Sequence, residues 1–323
     1  MKAIQLTATG NPLETLKYVE LPDPTAPENG EVIIRMEYSP VNFSDLMVAK
    51  GVYFIQPELP AVIGGEGVGV IKEIGPDVTH LKAGDRVVLP FGTYAWSELV
   101  KSSSENLVAL APSSDAKQAS MIGINPPTAV LLLNEFVSLN EGEWVVFNAG
   151  NSSVANTIIT VAKSRKIKTV AIVRREEAVA AALAAGADVV LIENPNIAEE
   201  AKIATNNANI RLGLDAVGGE SSGMLAKILG TGSHLVAYAV LGGQPIVVSQ
   251  VDLIAKRMKV HGFWMYLEQY LPKLNAAVRE SEALLESGAL NVPVVAMYPP
   301  SAIKEAVVHA TKGVKVLLDF TVK

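Results

Sequence analysis

The chain has 323 residues, 49% of them hydrophobic, and 27 Lys and Arg against 33 Asp and Glu give a formal net charge of −6. That length predicts two domains at roughly 150 residues each, and the acidic balance argues against a nucleic-acid partner, since such partners select a basic footprint. There is no cysteine, which excludes disulfides, thiolate nucleophiles and Cys-ligated zinc, and the four histidines (His80, His234, His261, His309) stand at no zincin spacing.

The N-terminus, Met1 to Leu6, enters an alternating strand pattern at once, without the apolar stretch of a signal peptide, so a cytoplasmic location is expected. The first third is rich in Pro and Gly, with short alternating runs. Glu31–Tyr38 and Gly67–Ile74 read as strands, and Gly84-Asp85-Arg86 reads as a turn before Val87–Leu89. The apolar run Ala129–Leu133 is cut by Asn134 and Glu135, so no membrane span is expected.

From Trp144 the rhythm becomes strand, helix, strand. The predicted strands are Trp144–Asn148, Thr169–Val173, Asp188–Ile192, Leu212–Val217, His234–Ala239 and Met258–Phe263. Helical segments lie between them. One is Val154–Lys163, with apolar residues at 154, 158, 161 and 162; another is the Ala-rich Glu176–Ala185. Six strands with helical crossovers predict an α/β fold with a doubly wound parallel sheet. The tail returns to a helix and a last strand, Val314–Phe320.

In such a sheet the first strand-to-helix turn binds pyrophosphate, because a helix start offers free N–H groups and a positive dipole end. Here that turn is Asn148-Ala-Gly-Asn-Ser-Ser-Val-Ala-Asn156, with one glycine, Gly150, and small residues at Ser152, Ser153 and Ala155. It also reads as an ordinary helix N-cap. The second strand ends on Arg174 and Arg175. Enzymes that take NADH usually place an acid there for the ribose hydroxyls, whereas arginine suits a 2′-phosphate, so NADPH is the expected cofactor. His234 and His261 read as strand-end packing residues.

Several motifs together resemble the medium-chain dehydrogenase/reductase superfamily. They are Val41-Asn-Phe-Ser-Asp45, Gly51-Val-Tyr53, Gly64-Gly-Glu-Gly-Val68, Asn125-Pro-Pro-Thr-Ala129, Asn148–Ser152, Val173-Arg174, Arg211–Gly219 with Ser221-Ser222, and Gly262-Phe-Trp264. Within the superfamily the chain is most similar to the zinc-independent 2-enoyl thioester reductases and their quinone oxidoreductase-like neighbours. The resemblance implies a β-rich GroES-like catalytic domain over 1–120 and 267–323 and a Rossmann dinucleotide-binding domain over 121–266. It implies no metal: Asn42 and Gly65 stand where the zinc alcohol dehydrogenases have Cys and His. It implies Tyr53 as the proton donor, a phenol of ordinary pKa near 10 being a donor at neutral pH. It implies a cofactor-binding set of Asn42, Asn125, Thr128, Gly150, Asn151, Ser152, Ser153, Val154, Arg174, Arg175, Tyr238, Ala239, Val240, Leu241, Phe263, Trp264, Met265 and Lys315. Trp264 also fits an acyl pocket or a subunit contact. The chain departs from the family pattern at Glu176, at Tyr238-Ala-Val, and at Ser153 and Ala155, where Arg, Tyr-Gly-Gly and Gly are usual.

Three readings compete. The first is NADPH-dependent reduction of the C=C bond of an enoyl thioester of CoA or acyl carrier protein. The second is reduction of a quinone or enone, which needs no positioned acid. The third is a non-enzymatic NADPH-binding protein. A homodimer is expected, paired through the sixth strand, Met258–Phe263, whose edge would otherwise stay open.

Overall fold

A computed structural model describes residues 1–90 and 92–322. The six-stranded sheet runs Val189–Ile192, Lys168–Val173, Trp144–Phe147, Leu212–Asp215, His234–Ala237 and Lys259–Gly262 across its width. Every neighbouring pair is parallel. In chain order this is 3-2-1-4-5-6, so connections reverse direction between the first and fourth strands, and ligands of such sheets bind outside the carboxyl ends at that point. The inner strands are short and apolar because both faces are covered; Val146, Val170, Ile172 and Leu235 pack with Leu225 and Leu229 in one core cluster. The helix after the first strand, Ser153–Ser164, is capped by Ser152, whose hydroxyl accepts from Ala155 N. It buries Ile158, Val161 and Ala162 of the predicted stripe. The predicted helix Glu176–Ala185 is a 3-10 turn, Glu176–Ala178, running into a short α-helix, Val179–Ala184.

The chain divides into two units, Met1–Ile124 with Val278–Lys323, and Asn125–Ala277. The divisions fall after Ile124 and Ala277, where 120 and 266 were expected, the second of them inside the helix Leu271–Glu286; Lys323, the end of the expected first domain, lies outside the described residues. The first unit holds a seven-stranded sheet centred on the ten-residue strand Glu31–Pro40, flanked by Val68–Ile74, Leu99–Ser103 and Lys315–Asp319. A three-stranded sheet of Leu16–Glu20, Lys2–Leu6 and Ala61–Val62 accompanies it. Trp96, fully buried, sits in its core with Ile34, Met36 and Leu318. Among the elements absent from the sequence reading is the helix Phe43–Lys50. It ends at Gly51, whose φ of 77° is left-handed and whose N–H caps Met47 and Val48. That turn launches the loop carrying Tyr53.

Among the described residues, no helix is long and apolar enough to cross a membrane.

His234 and His261, on adjacent strands, form a pair. Their rings stack with centroids 4.9 Å apart, and Nε2 of His261 lies 3.1 Å from Nδ1 of His234. Burial lowers both pKa values, and neighbouring positive charge, from His261 for the one and Lys259 for both, lowers them further. A histidine kept neutral by the fold stabilises it fully above the unfolded pKa near 6.5 and progressively less as pH falls towards the folded value. The melting temperature is therefore expected to drop between pH 7 and pH 5.5, with a smaller drop in His261→Gln, measured by thermal melts across that range; parallel slopes would contradict the pairing.

Candidate active site

The carboxyl ends of the first and fourth parallel strands are joined by a buried polar clamp. Asn148 Nδ2 donates to Asp215 Oδ1 at 2.7 Å and to Ser221 Oγ at 3.0 Å, while its Oδ1 accepts from Ala216 N at 2.7 Å. Asp215 Oδ1 also accepts from Val217 N and Gly218 N, and Oδ2 accepts from Ser222 Oγ. Ser221 Oγ in turn donates a hydrogen bond to Glu193 Oε1 at 2.6 Å. Asn148 and Ser222 are fully buried and Asp215 nearly so.

The turn beyond this clamp is tightly constrained. Ala149 has φ 49°, unusual for a residue with a Cβ. Gly150 N donates to Ile172 O at 2.8 Å, and a Cβ on Gly150 would stand 3.0 Å from both that oxygen and the Ala171 Cβ. The lone glycine is thus fixed by backbone approach to the second strand. The turn then delivers Asn151, Ser152, Ser153 and Val154 to the start of a 12-residue helix, whose first N–H groups have no intrahelical acceptors. With the positive dipole end, that geometry accepts an anion. Arg174 and Arg175 follow the second strand, exposed, and neither makes an ion pair among the described residues.

The loops after the fourth and fifth strands are laced together. Tyr238 N donates to Asp215 O, Leu241 N to Ala216 O and Gly242 N to Val217 O, at 2.9–3.0 Å. This places Tyr238, Ala239, Val240 and Leu241 at the carboxyl end of the sheet. The Tyr238 hydroxyl is buried without a partner, and burial raises its pKa, helped by the Asp215 carboxylate. After the sixth strand, Phe263 N donates to Ala237 O at 2.8 Å. Phe263 is buried and its ring packs against Tyr270 and Phe136, so its side chain belongs to the core and only its backbone is presented. Met265 Sδ accepts from Thr128 Oγ1 at 3.3 Å, which ties that segment to the helix Asn125–Glu135 that begins with Asn125. Trp264 makes an edge contact with Tyr266.

Asn42, Lys315 and Tyr53 belong to the first unit. Lys315 Nζ donates to Asn42 Oδ1 at 2.6 Å, and Asn42 Nδ2 donates to Glu66 Oε1 at 2.8 Å. Glu66 Oε2 accepts from Gly123 N at 3.0 Å. The Asp45 carboxylate accepts from Asn42 N and Gly65 N, both at 2.8 Å. Asp45 and Glu66 are 3% and 1% exposed, so burial pushes both carboxyl groups up, Asp45 to about 7, although backbone N–H groups pull the other way. Burial lowers the Lys315 pKa, while the two carboxylates hold it up. Tyr53 is half-buried on its loop, its ring 5.3 Å from that of Phe54.

The structure therefore gathers the predicted residues into two groups: the turn, arginine and loop residues of the parallel sheet in one unit, and Asn42 with Lys315 in the other. Sequence reasoning left Asp45, Glu66, Asp215, Ser221 and Ser222 without site roles. Each lay within a motif noted for its likeness, but no local pattern pairs Asn148 with Asp215 or Asn42 with Lys315 across such separations.

Residues 28–145 match the alcohol dehydrogenase GroES-like domain family and residues 153–280 the zinc-binding dehydrogenase family. The mitochondrial enoyl-[acyl-carrier-protein] reductase of Xenopus tropicalis is 35% identical over 262 residues, covering 79% of this chain and 75% of that protein. Among solved structures, a mycobacterial quinone oxidoreductase has a TM-score of 0.88 at 25% identity over 99% of both chains. The complex of Etr1p with NADP and crotonyl-CoA has a TM-score of 0.86 at 24% identity over 98% of this chain and 99% of that one, a likeness of fold. A parallel α/β sheet with a GroES-like unit defines an oxidoreductase class. The chain belongs to the medium-chain dehydrogenase/reductase superfamily, in the branch of the enoyl thioester reductases and quinone oxidoreductase-like enzymes. It is an oxidoreductase, which sets aside the non-enzymatic reading.

Proposed function

We propose that this chain reduces the C=C bond of a trans-2-enoyl thioester with NADPH, without zinc. One observation carries the cofactor reading: a strained, glycine-tight turn leads into a long helix, beside two exposed arginines that no carboxylate neutralises. The buried, unpartnered Tyr238 hydroxyl at the same end of the sheet fits a ligand there as well. The relatives named as enoyl reductases support the thioester, and the Etr1p complex holds NADP and crotonyl-CoA.

The unit Asn125–Ala277 acts as the dinucleotide-binding domain and the other as the catalytic domain. The bound NADPH supplies a hydride to Cβ of the acceptor. Gly150, Asn151, Ser152, Ser153 and Val154 cradle the pyrophosphate with backbone N–H groups, and Arg174 and Arg175 take the 2′-phosphate. Asn125, Thr128, the loop Tyr238–Leu241 and the backbone of Phe263–Met265 hold the nicotinamide half. Tyr53 donates a proton to Cα. Zinc has no part, because Asn42 and Gly65 offer a carboxamide and no side chain, and the Asn42 amide is engaged on both sides. A cytoplasmic location belongs to the same proposal, and cell fractionation tests it. The mycobacterial neighbour favours a second reading, quinone reduction on the same scaffold.

A homodimer also belongs to the proposal. Lys259–Gly262 is an edge strand, and apolar Val260, Val251 and Ile254 beside it are 42%, 73% and 78% exposed. A second copy that extends the sheet would cover them. Sedimentation should give a dimer at micromolar concentration, and a monomer would contradict it.

Arg174→Ala should weaken NADPH about ten- to a hundredfold, the worth of a charge-assisted hydrogen bond of about 1.5–3 kcal/mol, and leave NADH nearly unchanged. Equal weakening of both in fluorescence titrations would make the arginine structural.

Tyr53→Phe keeps the ring and removes the acid. Turnover of crotonyl-CoA should fall about a hundred- to ten-thousandfold, with NADPH affinity intact, with 1,4-naphthoquinone reduction little changed, and with the parent activity surviving a chelator. Wild-type turnover in the variant would put the quinone reading first.

A further inference from the structure

The histidine pair of the parallel sheet has no part in the reaction as proposed. His234 opens the fifth strand, at the end of the sheet opposite Tyr238, and His261 lies on the sixth strand, level with Val236. Side chains alternate along a strand, so residues 234 and 236, and with them His261, share one face. The two imidazoles line a cavity of about 360 Å³. Its other polar walls are Glu135, at the end of the helix Asn125–Glu135, and Gln269, Tyr270 and Lys273. All of these residues belong to the unit Asn125–Ala277.

Both rings are half-buried, and His261 is held from one side by Phe136, with centroids 5.1 Å apart. Nε2 of His261 stands 3.1 Å from Nδ1 of His234. That distance suits a hydrogen bond, and it also suits two ligands of one metal ion. Imidazole nitrogens about 2.0–2.1 Å from an ion are about 2.9–3.4 Å apart when the angle between them lies between octahedral and tetrahedral values. Imidazole is a ligand of choice for nickel, copper and zinc. To bind one, each ring turns so that its lone pair points beside the line between the nitrogens, on the cavity side. The hydrogen shared by the rings moves to the outer nitrogen of its own imidazole, so no proton need leave. Among the described residues no third histidine, aspartate or glutamate completes a metal-holding group with the pair. Water therefore fills the remaining positions, with Gln269, Tyr270 and the Glu135 carboxylate in the cavity to receive its hydrogens. Lys273 is neutralised by its ion pair with Glu135, and Arg211 by its pair with Glu143. Lys259, two residues before His261, opposes the ion and limits its affinity.

We propose that His234 and His261 form a binding site for one divalent late-transition-metal ion of the nickel, copper and zinc class. Its protein ligands are Nδ1 of His234 and Nε2 of His261. The ion joins the fifth strand to the sixth, the edge of the sheet. The site lies in a different unit from Asn42 and Gly65, so it does not replace a catalytic zinc, and it holds whichever acceptor the enzyme reduces.

Chelator-treated protein is titrated calorimetrically with nickel chloride and with zinc chloride at about pH 7.5, where an ordinary imidazole is mostly neutral. One ion per chain is expected. His234→Gln and His261→Gln should each weaken it at least about tenfold, since losing even an outer-sphere partner of a metal site costs about ten- to a hundredfold. His80→Gln and His309→Gln, which alter histidines outside the pair, should leave it unchanged. A hundredfold excess of ion over its Kd should raise the melting temperature of the parent by about 5 °C and leave His261→Gln unmoved. The absence of stoichiometric binding by the parent would overturn the proposal, as would parent-like affinity in either pair variant or an equal loss in the controls. Circular dichroism checks that the variants fold. The parent alone supplies an independent reading: substoichiometric nickel should broaden the imidazole NMR signals of His234 and His261 first, and prior broadening of His80 or His309 would overturn the assignment.

Discussion

The hydrogen bond between the Asn148 amide and the Asp215 carboxylate is the interaction on which the carboxyl end of the parallel sheet depends. The sheet reverses its order of connection between the strands that end in these two residues, so the chains leaving them turn to opposite faces. Something must hold the strand ends at a fixed separation while the loops diverge. Asn148 does so with three contacts and Asp215 with four, all shielded from water. A hydrogen bond to a buried charged group contributes on the order of 1.5–3 kcal/mol, and leaving its partner unpaired costs at least as much. The positive φ of Ala149 is tolerated because the residues on either side of it are pinned, Asn148 by this clamp and Gly150 by the second strand. Through Asp215 O the same point anchors Tyr238 and the loop that follows it.

The first unit solves a different problem. A lysine and two acids drawn out of water would be a heavy burden if any of them were unpaired. Here Asn42 lies between the cation and Glu66 and satisfies both, its oxygen towards one and its nitrogen towards the other. A carboxamide can do this because it carries an acceptor and a donor on one rigid group.

The fold was largely legible because its elements obey local rules. The first strands of the parallel sheet are apolar runs, and Ser152 announces its helix as a cap. The helix Phe43–Lys50 was hidden because its apolar residues follow no clear stripe and its N-terminal support comes from Asp45 bonding to Asn42, residues that read equally well as a loop. The positions of Arg174, Arg175 and the turn Asn148–Asn156 at strand ends were legible because each follows an apolar run. The inward turn of the Phe263 ring to Tyr270 was not legible, because its neighbours in sequence are loop residues. The clamp and the lysine cluster were illegible as clusters. Asn148 and Asp215 are brought together by strand order, and Asn42 and Lys315 by the pairing of the last strand with Glu31–Pro40. Sheet topology, which no single segment encodes, decides both.

That last pairing also accounts for why a C-terminal residue bonds to one in the N-terminal third. Lys315 opens the strand Lys315–Asp319, which runs antiparallel to Glu31–Pro40 with Leu317 opposite Pro40. Val41 continues the contact by donating from its N–H to Val316 O at 3.2 Å. Asn42 follows by one residue, so the register of the two strands, and not any contact of the lysine itself, brings Nζ to the amide. A slip of one residue would turn Lys315 to the other face of the sheet. The register is held in turn by the buried Val316 and Leu318, which share the core with Ile34 and Met36. The placement of Lys315 is therefore a consequence of hydrophobic packing in the β-rich unit, whereas the placement of the turn Asn148–Asn156 follows from a polar clamp in the parallel sheet, so the two units rest on different forces.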